Sequence, residues 1–231
     1  MSKILARAPI AVTMVCAAIV FSLGVDLCRA AEGAATAPMP AAGPIPAGQY
    51  QLDKSHASLL MRVSHFGFST YTTRFSRFES QLSFDPNNIP ASILVTTIDA
   101  ASFEMDAAPQ LCLDIMLGPQ FLDVPKFPTI VFRSDTVRMT GPKTFEISGT
   151  LNMRGVARPL VLSAMYNGGY RGIPKADPRA RVGFSAHGSF RRSEFGMLAY
   201  LPPPETTSGV GDLVEVSIEA EFNGPPLLPS P

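Results

Sequence analysis

Residues 121–134 constrain the fold of this chain more than any other stretch, because two prolines separate a helix-like segment from a strand-like one. Pro125 and Pro128 exclude a continuous helix, since proline lacks a backbone N–H and restricts the residue before it. Beyond Pro128, the apolar residues Ile130 and Phe132 recur at every second position, which is the period of a half-buried strand. The stretch predicts a rigid corner leading into a strand deep in a sheet. Its phenylalanines are placed to close the end of whatever that strand encloses.

Strand-like segments with alternating or β-branched residues recur along the rest of the chain, separated by turn residues. The three-residue step from Phe75 to Phe78 predicts a bulge within the second of them. Besides the strand after the corner, the segments are residues 59–65, 72–84, 93–101, 145–153, 160–166, 182–190 and 214–222.

One segment ahead of the corner has the pattern of a short amphipathic helix. Asp106 is a candidate N-cap, and Gly118 followed by Pro119 is a stop signal. The predicted buried stripe is Ala108, Leu111, Cys112 and Ile115. Cys112 is therefore expected to be buried against the sheet and chemically inert.

The fold class expected from these segments is mainly β, an eight-stranded antiparallel barrel with one short amphipathic helix. The strands and helices do not alternate, which favours antiparallel pairing. A single helix cannot cover both faces of a sheet, so closure into a barrel is the economical solution. A β-sandwich is the structural alternative. The interior of an eight-stranded barrel is filled by side chains or holds one slender ligand.

The first thirty residues are typical of a secretory signal peptide, with Lys3 and Arg7 ahead of an apolar run over residues 10–25. Cys28 and Ala30 supply small residues for cleavage, so the mature chain is expected to begin near Ala31. A retained membrane anchor is the alternative, and either interpretation predicts export, to the periplasm or beyond.

The remaining domain boundaries follow from composition. Residues 31–48 are rich in Ala, Pro and Gly and are predicted to form a spacer, residues 49–223 to form the barrel domain, and residues 224–231 to form a tail. After cleavage, Cys112 would be the one remaining cysteine, so no intrachain disulfide is expected.

Composition and motifs favour binding over catalysis. The chain has 19 acidic and 19 basic residues, so no nucleic-acid partner is expected. Its three histidines, His56, His65 and His187, show no metal-ligand spacing, and no nucleophile elbow or phosphate-binding loop is present. No catalytic residue, metal site or required cofactor is therefore predicted.

Several motifs of the chain together resemble those of the YceI-like family. They occur in the family's order over about residues 50–222. The motifs are Tyr50-Gln-Leu-Asp-Lys-Ser-His56, Val63-Ser-His-Phe-Gly-Phe-Ser69, the corner from Phe121 to Phe132, Ser148-Gly-Thr-Leu-Asn-Met-Arg-Gly-Val156, Gly183-Phe-Ser185 and Arg192-Ser-Glu-Phe-Gly196.

The resemblance implies a lipocalin-like periplasmic barrel that binds a polyisoprenoid lipid, such as an isoprenoid quinone, for transport or storage. It also implies transient membrane contact and leaves a homodimer open. The family usually has two basic residues just ahead of the corner, in the segment that corresponds to residues 113–118. This chain lacks both, which affects any contact that they make to a lipid head group or to a dimer mate.

Alternation along the strands identifies the side chains expected to line a channel. From the residues alone, a ligand channel and a packed core are equally open, and two rival functions remain: a quinone-dependent redox partner and an interaction module with a filled core. The candidate ligand-binding residues are Met61, Val63, His65, Phe75, Phe84, Ile130, Phe132, Ile147, Leu151, Met153, Leu162, Ala164, Phe184 and Ala186.

Overall fold

The computed structural model describes residues 44–173 and 177–227, which form ten strands and one α-helix. The strands are β1 (Gly48–His65), β2 (Ser69–Phe75), β3 (Phe78–Phe84), β4 (Ile93–Asp99), β5 (Phe103–Met105), β6 (Thr129–Met139), β7 (Thr144–Met153), β8 (Val156–Tyr170), β9 (Arg179–Arg191) and β10 (Val210–Pro226). The helix is α1 (Gln110–Leu117), between β5 and β6.

The strands form one antiparallel sheet that closes on itself. The last strand, β10, pairs with β9 on one side and with β1 on the other. β3 and β2 pair with successive halves of β1 and together fill one position in the ring, and β4 and β5 fill the next position in the same way. The ring therefore has eight strand positions, which confirms the predicted barrel and excludes the sandwich.

Two strand positions are interrupted where the sequence changes its period. β2 ends at Phe75 and β3 begins at Phe78, so the three-residue step marks a break between two strands and not the predicted bulge within one. A 3-10 turn, Ala100–Ser102, separates β4 from β5, and the carboxylate of Asp99 accepts a hydrogen bond from the N–H of Ala101. Each interruption bends the wall of the barrel without opening it.

The proline corner also has the predicted form. β6 begins at Thr129, directly after Pro128, and pairs with β4 and β7, so it is an interior strand of the sheet. Ile130, Phe132 and Ser134 are buried, whereas Arg133, between Phe132 and Ser134, is exposed. The prolines thus set the point at which regular pairing starts.

The helix differs from its prediction in start and in orientation. It begins at Gln110, with Pro109 and not Asp106 at the N-cap position. Leu113, Met116 and Leu117 pack against the core, whereas Leu111 is 69% exposed. Ile115 of the predicted stripe also packs against the core, so only the Leu111 and Cys112 side of that stripe is turned outward. The side chains that face the core are partly buried, and this orientation is favoured because it removes more apolar area from water.

The prediction that Cys112 is buried is wrong for the same reason. Cys112 lies one residue after Leu111, on the side of α1 that faces away from the core, and it is exposed. Its burial had been inferred from a stripe of which, within the helix, only Ile115 packs against the core.

The two ends of the barrel are built differently. The helix end consists of α1, the β1–β2 turn at residues 66–68, the β7–β8 turn at residues 154–155 and the loop at residues 192–209. The terminal end lies where β1 begins and β10 ends. At the terminal end, Tyr50 is fully buried, its ring lies edge-on to Phe84, and its hydroxyl donates to the carbonyl of Pro46. Burial raises the pKa of Tyr50 to about 12.

A polar network on the outer surface ties β1 to β9 and β10 near the terminal end. The guanidinium of Arg181 donates to Asp53 at 2.8 Å and also pairs with Glu221 and Asp177. Asp53 accepts further hydrogen bonds from the hydroxyl and the backbone N–H of Ser55. Hydrogen bonds from Ser55, His56 and Arg181 hold the pKa of Asp53 well below its usual range, although partial burial opposes this.

The predicted boundaries meet the structure at only some points. The signal peptide over residues 1–30 and the spacer up to residue 43 lie outside the described residues. At the other end, β10 continues to Pro226, so the sheet includes the first residues of the predicted tail. In the described part of the chain, no helix is long and apolar enough to span a membrane.

Asp53→Asn is expected to lower the free energy of unfolding at pH 7 by about 1–2 kcal/mol, because it removes the charge that Arg181 and Ser55 stabilise. A carboxyl with a depressed folded pKa stabilises the fold fully above the unfolded pKa of about 3.9, and this contribution declines as the pH falls through the folded pKa. Urea unfolding should therefore show a smaller difference between wild type and variant at pH 3 than at pH 7.

Glu79→Gln is the matched control. Glu79 pairs with Lys54, but both side chains are largely exposed, so the free energy of unfolding should change by less than about 0.5 kcal/mol. An equal effect of both substitutions at pH 7 would mean that the Arg181 network contributes no more than a surface ion pair.

Candidate functional site

The barrel encloses a cavity of about 230 Å³. Inward-facing side chains from the strands form its wall, and α1 and the loops at the helix end contribute to it. Packed protein interiors contain few voids larger than a water molecule, and one water needs only about 10–15 Å³ when volume is measured in this way. The interior is therefore a cavity and not a filled core.

Small residues on two neighbouring strands create the space. Ala164 of β8 lies directly opposite Ala186 of β9, and Ile218 of β10 is the next partner of Ala186. All three line the cavity. On the terminal side, the ring of Phe184 contacts four other aromatic rings, including that of Phe145, and this cluster limits the cavity in that direction.

The structure brings the predicted ligand-binding residues together with one exception. Their contact with a ligand stays a prediction, but their common position follows from the strand alternation on which they were chosen. The predicted residues that line the cavity are Met61, Val63, Phe75, Phe84, Ile130, Phe132, Ile147, Leu151, Met153, Leu162, Ala164, Phe184 and Ala186.

His65 is the exception, because it was predicted to line the channel and the structure does not place it among the lining residues. Its side chain is exposed, and its ring lies edge-on to the ring of Phe66. The pairing of β1 with β10 shifts register between Val63 and His65. The alternation that places Val63 inside therefore does not carry through to the last residue of β1.

Sequence reasoning missed several lining residues. Val214, Val216 and Ile218 of β10 follow the same alternation and could have been included on that signal. Met116 and Met197 could not, because they reach the cavity from α1 and from a loop. Phe121 lines the cavity at the helix end, in agreement with the closing role predicted for the corner, whereas Phe127 is not a lining residue and lies beside Gly155.

The wall is almost entirely apolar. The hydroxyls of Ser80 and Thr96 are hydrogen-bonded to each other across β3 and β4 at 2.8 Å. Thr73 and Ser92 are the other neutral polar residues of the wall. No carboxylate, imidazole or thiol belongs to the lining within the described residues, so the wall offers no acid–base pair and no nucleophile of those types.

Arg192 is the one charged side chain of the lining in residues 44–173 and 177–227. It is 3% exposed, and its N–H groups donate to the carbonyls of Gly211, Met197, Ala199 and Val210. Burial lowers the pKa of Arg192. The motif Arg192-Ser-Glu-Phe-Gly196 begins at this arginine, but nothing in the sequence indicated that it would be buried beside Arg191, which is exposed and pairs with Asp212.

A second cluster of titratable groups lies outside the cavity. Ligand atoms of Asp53, His56 and Glu221 lie within 4.8 Å of one another, a spacing compatible with a metal ion. The guanidinium of Arg181, however, pairs with both carboxylates. Because that cation already compensates their charge, we interpret the cluster as an ion-pair network.

Comparison with known proteins agrees with this architecture. The model of the YceI-like domain matches residues 50–222. A UPF0312 protein of Pseudomonas putida is 32% identical over 182 residues, covering 77% of this chain and 88% of the relative. A UPF0312 protein of Vibrio cholerae is 30% identical over 155 residues, covering 65% of this chain and 78% of the relative.

Solved structures share the fold. BcnA of Burkholderia cenocepacia superposes with a TM-score of 0.63 at 19% identity, covering 74% of this chain and 98% of that chain. A Campylobacter jejuni YceI protein gives 0.58 at 24% identity, covering 70% and 90%. A domain from Saccharophagus degradans, described as polyisoprenoid-binding and implicated in plant cell wall breakdown, gives 0.55 at 14% identity, covering 76% and 98%.

Ala186→Phe tests whether the cavity has room for an added side chain. The ring would enter empty space, so the free energy of unfolding of delipidated protein should change by less than about 1 kcal/mol. Delipidated protein is required, because a bound ligand stabilises the fold by mass action. Urea unfolding is the measurement, and a loss of about 1–3 kcal/mol would indicate overpacking of a filled interior.

Proposed function

The chain belongs to the YceI-like family, and we propose that it is an exported protein that holds an isoprenoid lipid, such as an isoprenoid quinone, for carriage or storage. The observation that carries the proposal is the apolar cavity inside the closed barrel. An interior wall with few polar groups suits a hydrocarbon chain better than a polar metabolite.

The energetics of the cavity fit a carrier. Burying a chain gains roughly 0.8 kcal/mol per CH₂ against water. An isoprenoid lipid already lies in the hydrocarbon of a bilayer, so the barrel has only to match that environment. The fit of the chain against residues such as Ala164, Ala186 and Phe184 would then decide which lipid is held.

Two further points support the lipid as ligand. A structural relative with the same fold is described as a polyisoprenoid-binding domain. The cavity also counts against the rival function of an interaction module with a filled core. The redox rival gains no support from the wall, since no acid–base side chain of the described residues faces the cavity, and the proposal assigns the protein no catalysis.

Export is the part of the proposal that depends on sequence alone. Residues 1–30 have the basic start, the apolar run and the small-residue site of a signal peptide. A periplasmic location would place the barrel beside membranes that contain isoprenoid lipids.

A contact surface for the membrane is proposed at the helix end. The β1–β2 turn presents Phe68, which is 90% exposed, with Phe66 stacked on it. Leu111 of α1, together with Leu198 and Tyr200 of the loop at residues 192–209, adds exposed apolar area at the same end. Aromatic side chains are favoured at membrane interfaces, so this end would face the bilayer during lipid exchange.

Mass spectrometry of a solvent extract from purified protein should identify an isoprenoid lipid. Ala186→Phe should lower the amount of lipid per protein several-fold, because the ring occupies the space of the chain. His187→Phe is the matched control: His187 is the next residue of β9 and is exposed, so the same ring is added outside. An extract without lipid, or equal loading of both variants with wild type, would contradict the proposal.

Phe68→Ser should slow the uptake of an isoprenoid lipid from phospholipid vesicles by delipidated protein several-fold, since it removes the most exposed aromatic side chain of the proposed membrane surface. Final loading from dilute detergent should not change, because Phe68 is not a lining residue.

Ile93→Ser is the control for this experiment. Ile93 is 45% exposed at the start of β4, at the terminal end of the barrel. The rate of lipid uptake by the Ile93→Ser variant should equal that of wild type. Equal slowing by both substitutions would show that general surface hydrophobicity, and not the helix end, sets the rate.

A further inference from the structure

We infer that Arg192 forms a head-group end of the cavity, so that the barrel prefers an apolar chain that ends in an electron-rich or anionic oxygen group. This inference rests on the proposed function and specifies the chemistry of its ligand. Arg192 lies at the helix end, in the 3-10 turn Arg192–Phe195 that follows β9. It lines a cavity whose other described lining residues are uncharged.

The charge of Arg192 is hydrogen-bonded but is not neutralised by a contacting carboxylate. All four side-chain hydrogen bonds of Arg192 go to backbone carbonyls, at 2.6–2.9 Å. The carboxylate of Asp212 is engaged elsewhere, with the backbone and hydroxyl of Ser193 and with Arg191. The atoms that contact this positive charge are therefore backbone carbonyls, and Asp212 acts on it only as a nearby charge without a hydrogen bond.

The hydrogen bonds also leave donor capacity. A guanidinium has five N–H groups. Nε donates to Gly211, Nη1 to Met197 and Ala199, and Nη2 to Val210, so one N–H of Nη2 makes none of these bonds. Because Arg192 lines the cavity, that N–H is the donor left for an oxygen acceptor of the ligand.

The surroundings strengthen the effect of the charge. The ring of Phe121 lies 5.5 Å from the guanidinium carbon, and Tyr200 stacks on the outer side of Phe121. These rings keep water from this side of the guanidinium. A charge in such a low-dielectric environment acts on a nearby oxygen far more strongly than it would in water.

The cavity therefore has a direction. At the terminal end, Phe84, Phe184 and Phe222 of the aromatic cluster present apolar surface to the cavity. At the helix end, Arg192 presents the cation. An amphiphile with its chain toward Phe184 and its oxygen-bearing head toward Arg192 satisfies both ends, and the reverse orientation satisfies neither.

A purely structural role for Arg192 would leave head-group preference unaffected. Its bonds to Met197, Ala199 and Val210 do link the loop at residues 192–209 to the start of β10. The head-group role predicts that an anionic head binds more tightly than a cationic one, whereas the structural role predicts no difference. Wild-type protein can therefore distinguish the two roles without any substitution.

The test is a series of ligands that share one chain and differ only in the head. Delipidated wild-type protein is titrated with geranylgeranyl phosphate, geranylgeraniol and geranylgeranylamine, by displacement of a fluorescent apolar probe. The phosphate should bind roughly tenfold more tightly than the alcohol, and the amine roughly tenfold more weakly, as expected for hydrogen bonds to a charged group. Equal affinities, or tightest binding of the amine, would overturn the inference.

Two variants assign the preference to this arginine. Arg192→Gln should bring the affinities for phosphate and amine to within about twofold of each other, at conditions where circular dichroism shows a folded barrel. Arg191→Gln, at the exposed neighbour, should keep the wild-type order. If Arg192→Gln does not fold, the wild-type series alone decides. Failure of all three ligands to displace the probe would instead count against the proposed function.

Discussion

The pairing of the first strand with the last is the interaction on which the rest of the structure depends. β1 and β10 are partnered over most of their lengths, from Gln51 opposite Asn223 to His65 opposite Val210. This pairing removes the two free edges that an open sheet would expose, and it turns one face of every strand inward. The cavity, its lining and the difference between the two ends all follow from that closure.

Closure alone would give a barrel filled by its own side chains, and the composition of the wall determines that it is not filled. The opposed pair Ala164 and Ala186 leaves space where larger residues would meet. The terminal end is sealed by Tyr50, whose ring lies so close to Gly224 that a Cβ there would approach it to 2.1 Å. Outside the same end, the Arg181 network links β1 to β9 and β10. The terminal end is thus closed by packing inside and by ion pairs outside, and the interior is left for a ligand.

The helix end has the opposite character. Among the described residues, every non-glycine residue with a positive φ lies in a loop or turn of that end, including the exposed aromatics Phe66 and Tyr200. Bulky residues adopt this conformation at a cost, which the surrounding structure must offset. The same end carries the exposed apolar side chains of Phe68, Leu111 and Leu198 and the buried cation Arg192. A carrier that exchanges lipid with a bilayer would need these features together: an apolar surface to contact the membrane and a polar point to orient the head group.

The sequence by itself determined the strands, the proline corner, the barrel and most of the cavity wall, because period-2 alternation and proline geometry are local properties that tertiary contacts did not override here. It did not determine which side of α1 faces the core, since Leu111 and Leu113 are equally apolar and only packing chose between them. It placed His65 wrongly because the register shift beside it depends on β10, far away in sequence. The burial of Arg192 beside the exposed Arg191 was decided by tertiary structure: the two are adjacent and chemically identical, but the closed barrel brings backbone carbonyls to one and a carboxylate to the other.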